Sequence, residues 1–124
     1  AANRYDHLIE STQMNRFMQY PARMPNQRHV FNQYVIRVAA ADRDAMIQHL
    51  KQNGVACEVY YPAPLHLQEC IRHLGYRHGD YPFSEEACRS VLALPMFPEI
   101  TAAQQQRVID VCASYRSKPT RIAA

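Results

Sequence analysis

The pattern that organises this chain is an alternation followed by a stiff turn. Val55, Cys57, Val59 and Tyr61 recur at a period of two, with Ala56, Glu58 and Tyr60 on the opposite side and Gly54 marking a turn before them. That spacing predicts a half-buried strand over residues 55–61. Pro62 and Pro64 then fix two backbone angles and remove two amide donors, so the chain leaves the sheet edge on a rigid path that presents His66. A rigid loop carrying Tyr61 and His66 is the first place to look for function.

The remaining periodicities place elements on both sides of that stretch. Tyr5, Leu8, Ile9 and Thr12 fall at i, i+3, i+4 and i+7, which predicts a helix over residues 3–17, followed by an irregular connector with Pro21 and Pro25. Tyr34, Ile36 and Val38 alternate with Val35 and Arg37, a strand over 31–39. Asp42 is the expected cap of a helix to residue 53, with Met46, Ile47 and Leu50 inward, His49 and Lys51 at its negative end and Gly54 beyond it.

Residues 65–74 predict a short helix closed by Gly75, and 76–83 a polar, aromatic loop. Ser84 is expected to cap a helix with Glu85 and Glu86 in its first turn and Ala87, Cys88, Val91 and Leu92 on its inner face. An extended piece over 93–98 follows. Thr101 and Gln104 are spaced as a capping box for a last helix with Val108, Val111, Cys112 and Tyr115 inward, and the tail over 117–124 is expected to fray.

The sum is an α+β fold: a small three-stranded sheet, mixed in direction, with about four helices mainly on one face. The strand around Leu94 is expected between the other two and antiparallel to both. At 124 residues there is room for one domain over 1–124, its first 28 residues being helix and connector.

Composition narrows the function classes. Of 14 basic residues Lys51 and Lys118 are the lysines, and the arginines are scattered, so a net charge of +3 reads as a mixed solvated surface and not as a nucleic-acid footprint. No apolar stretch has the length of a membrane span and no basic-then-apolar leader opens the sequence, so a cytoplasmic protein is expected. With 3 glycines in all, a backbone cradle for phosphate of the dinucleotide or P-loop type is excluded. Cys57, Cys70, Cys88 and Cys112 contain no C-x-x-C pair and fit small reduced thiols better than a disulfide framework.

The chain carries no nucleophile-elbow or H-E-x-x-H motif. His66, Cys70 and His73 would share one face of the short helix, with Glu69 and His78 nearby, but a mixed Cys/His helix without a second ligand pair is weak evidence and no metal is assigned. Tyr60, Tyr61, Tyr76 and Tyr81 gather around the prolines, where they either pack loops or stack on a ligand.

These segments also carry a resemblance. The runs 29–38 (His-Val-Phe-Asn-Gln-Tyr-Val-Ile-Arg-Val), 61–68 (Tyr-Pro-Ala-Pro-Leu-His-Leu-Gln), Leu74-Gly75-Tyr76, Gly79-Asp80-Tyr81-Pro82, Ser84-Glu85 and 94–99 (Leu-Pro-Met-Phe-Pro-Glu) occur in order over most of the chain. Together they resemble the C-terminal part of the DegT/DnrJ/EryC1/StrS sugar aminotransferases.

The resemblance implies the small domain of a fold-type-I pyridoxal-phosphate enzyme, forming one wall of the substrate cleft while a large domain holds the cofactor. It places Tyr61 and His66 on the nucleotide-sugar side with Asn32 nearby, a position where many members carry His. Neither Lys51 nor Lys118 matches the family's Schiff-base motif, so no catalytic or cofactor-binding residue is expected here, and the chain alone should not transaminate. Its expected partners are the missing large domain, a second copy, or a nucleotide sugar. The alternative is a non-enzymatic ligand-binding or dimerising module derived from that domain.

Overall fold

Tyr5, Leu8 and Ile9 do form the buried face of a helix, α1 (Ala2–Ser11). In the computed structural model, which describes residues 1–115, α1 is shorter than its periodicity suggests. Thr12 turns its hydroxyl back onto the Leu8 carbonyl at 2.6 Å, and Gln13 takes a left-handed conformation at φ 58°. A single 3₁₀ turn, Met14–Arg16, then leads into a strand with no sequence signal, β1 (Met18–Gln19).

The second strand, β2 (Tyr34–Val38), buries Tyr34, Ile36 and Val38 as the alternation requires. It is followed by α2 (Ala40–Gln52), with Met46 and Leu50 buried. Asp42 lies in the first turn of α2 and not at its cap, which is Ala39. The far end closes as expected: Gly54, at φ 73°, donates to the Lys51 carbonyl and Val55 to that of Leu50, satisfying two otherwise orphaned acceptors.

The predicted strand over 55–61 is reduced to one bridge. Glu58 and Ala93 exchange backbone hydrogen bonds of 3.2 and 2.8 Å, and Val55 and Cys57 are buried while Ala56 and Glu58 are exposed. The period of two survives, but Pro62 and Pro64 lie beyond it and a longer ladder does not form.

After the loops described below, α3 (Pro82–Ser90) begins two residues before Ser84, because Pro82 sits at its first position. It runs directly into β3 (Val91–Leu94), so Val91 and Leu92 are strand residues and not part of a helical face. Val91 is already extended at φ −103°, ψ 151°. The last helix, α4 (Ala102–Ala113), carries both halves of the capping box: Gln104 donates to the Thr101 hydroxyl at 3.2 Å and Thr101 donates to the Gln104 side chain at 2.8 Å.

The sheet has the order β1-β2-β3, and every pairing is antiparallel, with Met18 opposite Val38 and Ile36 opposite Leu92. The direction is therefore antiparallel and not mixed. β3 does lie between β2 and the Glu58 segment, antiparallel to both.

Residues from α1, α2, α4 and the sheet make one buried cluster around Tyr5, Ile9, Ile36, Leu50, Leu92 and Ile109. Each such side chain contributes about 1.5–3 kcal/mol of burial. Gln105, 2 % exposed, is one of the buried polar residues, and its amide donates to the Ala1 carbonyl at 2.9 Å. Among the described residues no helix is long and apolar enough to cross a membrane. The tail expected to fray over 117–124 lies outside the described residues.

Candidate functional site

Two prolines and two glycines shape the loops that carry the site. Past Pro62 and Pro64 the chain makes a 3₁₀ turn, Leu65–Leu67, opens to ψ 143° at Gln68, and re-forms as a second 3₁₀ segment, Glu69–Leu74. Gly75, left-handed at φ 79°, reverses it. The loop beyond is held by the Asp80 carboxylate, which accepts from the Arg77 amide at 2.9 Å, and by the Asp80 amide donating to the Arg77 carbonyl at 3.2 Å. The extended Gln68 means that His66, Cys70 and His73 do not share a helical face. Among the described residues no group of three metal-type side chains converges.

His66 is 7 % exposed and Glu85 8 %. Glu85 sits one turn into α3 and collects three partners from two loops. Its Oε1 accepts from the Gly79 amide at 2.7 Å and lies 3.2 Å from His66 Nε2, while Oε2 is 3.5 Å from His78 Nδ1. Donation from Gly79 holds the Glu85 carboxyl below the usual carboxylate range; burial opposes this, and the His66 and His78 contacts reinforce it. Glu85 therefore ties the Gly79 loop to the His66 turn.

The His66 ring forms one wall of a cavity of about 470 Å³. Tyr61, Pro64, Leu65, Tyr76, Tyr81 and Cys88 also line it. The His66 and Tyr81 rings lie 4.9 Å apart, and Tyr76 meets Tyr81 edge-on at 5.5 Å. The Tyr76 hydroxyl is the main cause of an upward shift at the Tyr81 phenol, which stays a neutral donor and acceptor at ordinary pH. The result is a mostly apolar pocket with polar tips on three tyrosines, Ser84 and one imidazole, a surface suited to a ring carrying hydroxyls.

Tyr61 and His66 are thus brought together, with Tyr61 at 60 % exposure on the rim. Asn32 is not with them. It lines a second depression of about 640 Å³ with Arg23, His29 and Phe97, in which the Arg23 guanidinium stacks on Phe31 at 4.1 Å and bonds Asp6 and Asn3. Glu85 stands in the first turn of α3, as the sequence predicts, but its burial against His66 and the Gly79 amide carried no sequence signal.

The four cysteines are free thiols, with Cys70 exposed and the other three buried. Burial pushes the Cys112 thiol up to about 12.

Residues 1–113 match the DegT/DnrJ/EryC1/StrS aminotransferase family, and the chain belongs to it. It is 41 % identical over 111 residues to a pleiotropic regulatory protein of Geobacillus stearothermophilus, covering 90 % of this chain and 29 % of the relative. It is 37 % identical over 94 residues to a UDP-N-acetyl-3-dehydro-alpha-D-glucosamine 3-aminotransferase of Acidithiobacillus ferrooxidans, covering 76 % and 24 %. The crystal structure of NtdA from Bacillus subtilis with bound cofactor PMP superposes with a TM-score of 0.76 at 28 % identity, over 90 % of this chain and 26 % of that one. The chain therefore spans less than a third of the length of these relatives.

The family is pyridoxal-phosphate dependent. Among the described residues one lysine, Lys51, is available to such a cofactor as a Schiff-base amine. Lys51 is exposed in the last turn of α2 and lines neither the His66 cavity nor the Asn32 depression, and Lys118 lies outside the described residues.

Proposed function

We propose that this chain is the C-terminal small domain, or a free fragment, of a pyridoxal-phosphate-dependent nucleotide-sugar aminotransferase, and that it forms one wall of the substrate cleft. The observation that carries this reading is the cavity in which Tyr61, Tyr76 and Tyr81 surround a His66 held in place by Glu85. Aromatic faces accept the C–H surface of a sugar or the face of a base, and the phenol and imidazole tips meet hydroxyls. Asn32, which lines a separate depression, is proposed as a further substrate-facing residue on the family resemblance alone. The chain folds as one cytoplasmic domain, binds and orients, and does not exchange amino groups, because among the described residues no lysine lines the cavity to anchor the cofactor.

A second reading is favoured by one feature. Phe83 is 89 % exposed and Val30 82 %, the two most exposed large apolar side chains among the described residues. As a detached module the domain would use such surface to dimerise or to hold a large domain.

Titration of the 124-residue chain with UDP-N-acetylglucosamine by saturation-transfer NMR tests the first reading. Contact between the sugar nucleotide and the chain, weakened about tenfold in Tyr61→Ala for a stacking loss of about 1.4 kcal/mol, is expected. Absence of saturation transfer overturns it. Glutamate-dependent amino exchange by the purified chain with added pyridoxal phosphate would overturn the assigned inactivity.

A further inference from the structure

The hydrogen-bond pattern at Glu85 determines which nitrogen of His66 carries the proton. An ionised carboxylate has no proton to give, so each group within hydrogen-bond distance must donate to it. Glu85 is ionised at neutral pH, its carboxyl being held low chiefly by the Gly79 amide. The 3.2 Å contact between Oε1 and His66 therefore requires the proton on Nε2. In the neutral ring Nδ1 is then an acceptor. Nδ1 has no partner among the described residues, and it is not among the polar atoms sealed from solvent, of which Arg43 Nε is the example. The space beside the ring is the tyrosine cavity.

We infer that Glu85 is a positioning residue: it fixes His66 as the Nε2–H tautomer and turns Nδ1 toward the cavity as a hydrogen-bond acceptor, so that the site selects a ligand presenting a hydroxyl or another donor beside an apolar face. This rests on the cleft reading for the identity of the ligand but not for the tautomer. Three features support a built arrangement over an incidental surface pair. Both partners are more than nine-tenths buried, the carboxylate is shared with a backbone amide from a separate loop, and the imidazole is flanked by Tyr81 at 4.9 Å and Tyr76 at 6.5 Å, which restrict its rotation. His78, the other titratable group facing Glu85, is solvent-exposed and bonds the opposite oxygen, so it does not compete for Nε2.

The test is a long-range ¹H–¹⁵N correlation spectrum of the uniformly labelled 124-residue chain, about two pH units above the ordinary histidine value of about 6.5, with His66 assigned by difference from His66→Gln. The wild-type ring should show a protonated Nε2 and an unprotonated Nδ1. Glu85→Gln should keep that tautomer, because its amide carbonyl still accepts. Glu85→Ala should release the ring into a mixture of tautomers.

An Nδ1–H tautomer in the wild type overturns the proposal. An unchanged Nε2–H population in folded Glu85→Ala also overturns it. On adding UDP-N-acetylglucosamine, the Nδ1 resonance should shift toward the donor-bonded position. Binding without that shift refutes the orientation toward the cavity. No binding at all sinks the cleft reading, while the tautomer measurement still decides the role of Glu85.

Discussion

Thr101→Ala removes the acceptor for the Gln104 amide, one of two bonds that close the start of α4. The site is exposed, so water replaces the lost partner and no buried group is stranded. The cost is that of an N-cap, about 1 kcal/mol. Unfolding entropy near 2.1 cal/mol/K per residue gives about 0.26 kcal/mol/K for a chain of this length, so the midpoint should fall by about 4 °C. Thr101→Ser keeps the hydroxyl and should recover most of the loss.

Gln104→Ala removes the reciprocal bond to the Thr101 amide. Because the two bonds close one another, the double variant should cost less than the sum of the singles. The assay is thermal unfolding followed by circular dichroism, with urea midpoints as a check. A Thr101→Ala midpoint within error of wild type, or a loss as large in Thr101→Ser, would refute the argument that the hydroxyl, and not the helix propensity of the site, secures α4. Strict additivity in the double variant would refute the reciprocity.

Ile109→Ala, at a fully buried position in the common core, should destabilise by about 2–5 kcal/mol in urea denaturation, and a loss below about 1 kcal/mol would show that α4 is not packed as described. The folded Glu85 carboxyl lies below its unfolded value, so its ionised form adds stability above about pH 4.3, and that contribution disappears as pH falls through the folded value. The stability difference between wild type and Glu85→Gln should therefore narrow on acidification, and a difference that widens toward low pH would contradict the assigned direction. Cys70 is the exposed thiol, and one equivalent of a disulfide reagent should react before unfolding, with Cys57, Cys88 and Cys112 following only in denaturant. Fast reaction of two or more thiols in the native chain would disprove their burial.

Helix faces and central alternations were legible in the residue pattern because their burial follows local period. Tyr5, Leu8 and Ile9, and Tyr34, Ile36 and Val38, occupy the core they were expected to occupy. Two-residue β1 was not legible, since Met18–Gln19 is too short to show any period and exists through its register with Val38 and Arg37. The helix over 65–74 was misjudged because Gln68 opens to join two 3₁₀ segments, a choice made by docking His66 against α3 and not by any breaker residue.

The residue order by itself determined the family, the α+β class, the capping box and the stiff turn after Tyr61, since each depends on short-range spacing and backbone restriction. Tertiary structure alone decided that Asn32 and His66 lie in different depressions and that Glu85 is turned inward as the partner of His66. The physical reason is that a carboxylate at the start of a helix is equally favourable facing water. What draws Glu85 inside is an amide at Gly79 and an imidazole at His66, groups that only the folded chain brings within 3.2 Å of it.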